Sequence, residues 1–171
     1  MYRYIVPLLL MLSLTVANAQ DTDSEQYKDR MIVIGLCSMV HSSYLASAAV
    51  DVAVAQIEAY LDVSDSSDVN SQDREILRNM LNAMSSTVAA MILTDLKWLA
   101  QVESSVKSIS PDLAGRISQL SKVMKELADL LDKPAESGKM SDRIKKLKEL
   151  RSRIESIAKL STPTPDSIRR L

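Results

Sequence analysis

Residues 110–132 read SPDLAGRISQLSKVMKELADLLD. Leu113, Ile117, Leu120, Met124, Leu127 and Leu131 recur at alternating steps of four and three, a seam of nearly three heptads. Ser110 is a good N-cap and Pro111 suits the first helical position, where no backbone N–H is needed. Asp112 adds negative charge where the helix dipole favours it. The turn chemistry of Lys133-Pro134 through Gly138 follows. The spacing therefore predicts one helix from Pro111 to about Leu131 with a single buried face.

Working outward, a further helix begins near Ser141-Asp142, with Ile144, Leu147, Leu150, Ile154 and Ile157 as its apolar stripe. It also carries the densest positive charge in the chain: eight cations against three acids between Lys139 and Lys159. On the N-terminal side, a long helix is predicted from Asn70 or Ser71 to about Ile109. Its stripe is Leu77, Leu81, Met84, Val88 and Met91, shifting to Ile92, Leu96, Leu99, Val102, Val106 and Ile109. Val88 to Leu93 is apolar all round, which predicts cover on two sides. A first helix is predicted from Ser24 to about Leu61, closed by the polar stretch Asp62 to Asp68. Ser43, Ser47, Asp51, Glu58 and Asp62 are predicted on its wet side, and Leu45, Ala49, Val52, Ala53 and Ile57 on its dry side. Gly35 lies inside it at a cost of about 1 kcal/mol relative to alanine, unless close packing needs the space.

The chain has three glycines and no phenylalanine, and no alternating β-branched or aromatic run is visible. The predicted fold class is all-α: an antiparallel bundle of four helices, two long and two shorter, filling residues 20–160. Whether helices two and three run end to end through the Pro111 break is open at this point.

The N-terminus has a separate logic. Arg3 precedes an apolar run, Ile5 to Val16, and the small-x-small triplet Ala17-Asn18-Ala19 precedes Gln20. That is the layout of a cleavable signal peptide over residues 1–19, expected as a detached helix, and the run is too short to span a bilayer. It predicts a secreted product, extracellular or periplasmic. The tail from Ser161 to Leu171 holds two prolines and is expected to be disordered. A transmembrane hairpin built on Met31–Ile57 and Met80–Leu93 is opposed by Asp51 and four serines in the first segment and by the shortness of the second.

Charge is segregated. Residues 20–75 hold eleven acids and three bases, whereas residues 76–171 hold seventeen bases and eleven acids. The simplest use is internal, with the acidic first helix packed beside the basic fourth. Cys37 is the sole cysteine, so any disulfide must join two chains. Such a link would make a homodimer; burial in its apolar neighbourhood is the other reading.

Little here carries chemistry. Cys37 and His41 share a helix face, but no third group completes a nucleophilic site. A metal would need further ligands that the neighbouring sequence lacks. No glycine-rich phosphate loop and no Gly-x-Ser-x-Gly elbow occurs. The chain is therefore expected to be non-catalytic, to need no cofactor, and to act by binding a protein partner or surface. Lys145, Lys146, Lys148, Arg151 and Arg153 form a candidate face for a polyanion or an acidic partner. Aromatics are not interleaved with them, so nucleic acid is not expected. Met39, Val52, Met80, Met84, Met91 and Ile92 form a candidate apolar interface. The alternative function is a carrier of lipid-like molecules in a groove between the first two helices.

Overall fold

The structure is a computed structural model that describes residues 25–66, 68–136 and 138–159. The leader expected over residues 1–19 and the tail expected over 161–171 lie outside the described residues. Four helices account for nearly all of the rest, and no strand occurs among the described residues. They are α1 (Glu25–Ser64), α2 (Ser71–Val106), α3 (Pro111–Asp132) and α4 (Met140–Lys159). Two are long and two shorter, as the periodicity predicts.

The boundaries follow capping chemistry. Asn70 caps α2: its side chain accepts from the Asp73 N–H at 2.9 Å and donates to the Asp73 carboxylate at 2.7 Å. Ser110 caps α3 by accepting from the Leu113 N–H at 3.4 Å, with Pro111 at the first helical position. α2 stops three residues before the predicted Ile109. The N–H groups of Ile109 and Ser110 both return to the Val106 carbonyl, at 3.0 and 2.8 Å, and close a turn that separates α2 from α3. Gly138, at φ +86°, supplies the left-handed residue in the turn before α4.

The seam of α3 is the centre of the core: Leu113, Ile117, Leu120, Met124, Leu127 and Leu131 are all buried. Each such side chain contributes ~1.5–3 kcal/mol of transfer free energy. α1 adds Met39, Ala46, Val50, Ala53 and Ile57 at the same heptad steps, and α4 adds Leu147, Leu150 and Ile154. α1 packs against all three other helices; α2 and α4 each pack against α1 and α3 but make no appreciable contact with each other. Gly35 sits where α1 meets the start of α3. A Cβ there would lie 2.7 Å from Leu113 Cδ2, so the glycine is needed for close approach.

Two stripes differ from the sequence reading. In α1, Ser43 is buried and donates to the Val40 carbonyl at 2.9 Å, while Val52 faces outward. At 100° per residue Val52 stands a quarter-turn from Ala53, and the core claims Ala53, Val50 and Ile57 instead. In α2 the buried line runs through Leu81, Ser85, Ala89, Ile92 and Leu99, which leaves Met84 and Met91 outside. The stretch from Val88 to Leu93 is covered on one side rather than two, since Ala90, Met91 and Leu93 are exposed. The α3 seam is strong enough to fix which faces of α1 and α2 turn inward, and the methionines lose that competition.

Charge segregation has an internal use. Lys148 of α4 lies 3.8 Å from Glu58 of α1, and Arg151 pairs with Asp51. The acidic first helix thus meets the basic fourth.

Candidate binding face on α1 and α2

Six residues join α1 to α2. Trp98 Nε1 donates to the Ser38 hydroxyl at 3.2 Å and so fixes the register. Counting along both helices from that bond, Val52 is level with Met84, Leu45 with Met91 and Gln56 with Met80. Helical angles place Val52, Met80, Met84 and Met91 on the same outer face of the hairpin. They are 47, 56, 46 and 57 % exposed, whereas Met39 and Ile92 are fully buried beneath them. The predicted apolar set therefore divides into a surface of four residues and a floor of two. Ile76, exposed one turn before Met80, enlarges the surface.

The face is unusual in what it lacks. From Asn79 to Thr94 no α2 residue is charged, and from Met31 to Val50 α1 carries no acid, lysine or arginine. Both helices are long and apolar enough to cross a membrane by length and composition. The most apolar eighteen-residue window of α1 is 44 % buried, that of α2 only 22 %. α2 is therefore not an ordinary core helix: most of its apolar window faces outward. The uncharged run of sixteen residues could have revealed this in the sequence, had it been weighed above the identity of the apolar positions.

The cationic face of α4 is largely engaged. Arg151 holds Asp51 and, at 2.8 Å, Glu155. Arg153 grips Glu126 of α3 in a bidentate pair at 2.6 and 3.1 Å, and that pair holds the Glu126 carboxyl below its usual range. Lys148 reaches Glu58, while Lys145 and Lys146 are exposed and in no ion pair among the described residues. Arg143 turns inward instead: its guanidinium donates to the carbonyls of Lys133 and Leu131 at 2.7 and 3.0 Å, closing the C-terminal end of α3. A shallow groove between α3 and α4 has two lobes of about 360 and 400 Å³, parted by the Glu126–Arg153 pair. Its walls mix Asp129, Glu149, Lys133 and Lys146, a poor lining for an apolar ligand.

Cys37 is half-buried near the far end of the hairpin, and burial pushes its thiol above the usual value. It is correspondingly a weak nucleophile. Asp95 is level with His41 across the hairpin and has one carboxylate oxygen buried without a hydrogen-bond partner. No group of three or more potential metal ligands occurs among the described residues. Compared with known families, characterised proteins and solved structures, the chain matches none.

Proposed function

We propose that the chain is a secreted, non-catalytic antiparallel four-helix bundle that acts by binding, and that the outer α1–α2 face is the binding surface. The bundle reading is supported by side-chain contacts between each pair of successive helices. Trp98 reaches Ser38, Ser86 donates to Asp132 at 2.6 Å, and Arg153 meets Glu126. Secretion rests on the leader-like residues 1–19.

One observation carries the functional reading: the apolar window of α2 is mostly uncovered. An apolar patch that a soluble chain leaves open, in the middle of two uncharged helical runs, marks an interaction site. The carrier reading needs free volume between α1 and α2. Met39 and Ile92 are fully buried, which supports a partner laid across the face over a ligand held beneath it.

Native mass spectrometry of the chain, recovered from a secreting host without detergent, tests the proposal. Protein-only masses, with association lost in Met84→Lys, are expected. A stoichiometric lipid that leaves on denaturation would overturn it in favour of the carrier. Association unchanged by Met84→Lys would remove the α1–α2 face from the binding.

A further inference from the structure

The face described above has a length, a charge pattern and a side-chain order that together specify an occupant. We infer that it is covered by a second copy of the same chain, the two copies related by a two-fold axis lying at right angles to the helices and crossing the hairpin near Ala48 and Thr87. This rests on reading the α1–α2 face as the binding surface and goes one step beyond it.

Area is the first argument. Ile76, Met80, Met84, Met91 and Val52 are each about half exposed. At roughly 150–200 Å² per large side chain they supply about 400–500 Å². Exposed Ala55, Ala83, Thr87 and Ala90 extend the same surface. The sum comes near the ~600 Å² per partner at the low end of specific interfaces. An isologous pairing buries the whole patch at once, on both copies.

Order along the face is the second. A two-fold at Thr87 lays α2 antiparallel on its copy and sets Met84 of one chain against Met91 of the other, while small residues meet at the axis. Flexible methionines packed on methionines suit an interface that must fit itself. The same operation lays α1 on its copy around Ala48.

Charge is the third. The uncharged run of α2, Asn79–Thr94, is centred on the axis, so over those sixteen residues uncharged helix meets uncharged helix and no charged α2 side chain is buried.

Sedimentation velocity of the purified chain, over a hundredfold range of concentration, tests the pairing. Wild type is expected to sediment at twice the chain mass, and Met84→Lys/Met91→Lys at the chain mass. Both positions are exposed, so the helical content and melting of the variant monomer should show an intact fold. In a Cys37→Ser background, Thr87→Cys should oxidise readily to a linked dimer. Ile76→Cys, ~16 Å along the helix from the axis, should not. Efficient linking through Ile76→Cys alone would overturn the axis. A wild type monomeric throughout would overturn the inference. If that monomer then pelleted with zwitterionic phosphatidylcholine vesicles in a Met84-dependent way, the binding face would survive with lipid as its occupant. If it did neither, the face and the dimer would fall together.

Discussion

Replacing Arg143 by methionine should destabilise the chain more than any other change on the basic fourth helix. Among the eight cations between Lys139 and Lys159, this one is buried, and it donates two hydrogen bonds to the carbonyls of Leu131 and Lys133. Those carbonyls belong to the end of α3, where the helix has no partners of its own and the dipole is negative. Burial also pushes the guanidinium pKa down, so the site holds a positive charge at a cost that the two carbonyls offset. Hydrogen bonds from charged donors are worth ~1.5–3 kcal/mol each. Methionine is of similar length and returns ~1–2 kcal/mol of apolar burial. The net loss is about 2–4 kcal/mol. At ~2–4 °C per kcal/mol for a chain of this size, Tm should fall by roughly 5–15 °C. Thermal melts followed by circular dichroism at low and high salt measure it. The loss should survive 1 M salt, because the contact is buried and hydrogen-bonded rather than a screened surface pair. Arg143→Lys should recover part of the loss, since an ammonium can satisfy one carbonyl well but not the fork. A methionine variant that melts within ~2 °C of wild type would refute the closure of α3 by Arg143.

Gly35→Ala sets a helix-propensity gain of ~1 kcal/mol against overpacking of ~1–3 kcal/mol on buried Leu113. Its melt should show a net loss of up to about 2 kcal/mol, removed when Leu113→Val makes room. Charge reversal at Asp51 (Asp51→Arg) should lower Tm by a few degrees, and 1 M salt should erase most of the difference, since the Arg151 pair is exposed. Glu126, whose folded pKa is lowered, adds stability that is present above the unfolded value of ~4.3 and is lost as pH falls through the folded value. Wild type and Glu126→Gln should therefore converge in melts below about pH 4 and separate by roughly 1–3 °C near neutrality. Cys37, with its raised pKa, should react with a disulfide reagent at pH 8 at least ~10-fold more slowly in the folded chain than in urea.

The α3 seam and the α4 stripe were legible in the sequence because each is an unbroken heptad on a helix whose other positions are polar. One face could be dry, and Leu120 and Leu147 could only be inside. α1 and α2 were legible as helices but not as faces. Their apolar residues occupy nearly the whole circumference, so periodicity does not choose between Ala53 and Val52, or between Ile92 and Met91. The neighbours choose, and those are set by α3. Arg143 escaped notice for the opposite reason: it stood in a run of cations, and no pattern in the run marks the one whose position faces the end of another helix. The face over Met84 was visible as composition but not as a surface, because a surface is defined by what the partner helices leave uncovered.

The packing, in which α1 and α3 each touch every other helix while α2 and α4 stand apart, also fixes an order of events in time. α2, α3 and α4 are joined to their neighbours by links of four to seven residues, so their contacts close over short loops and form early. The seam between α1 and α4 closes the longest loop in the molecule, from Asp51 to Arg151. It closes over a long chain separation and is edged by exposed ion pairs, and so it should close last and open first. Amide hydrogens along α4 should therefore exchange by a low-energy opening well below the global one, while those of α3 wait for complete unfolding. Salt should hasten the first process and leave the second nearly alone.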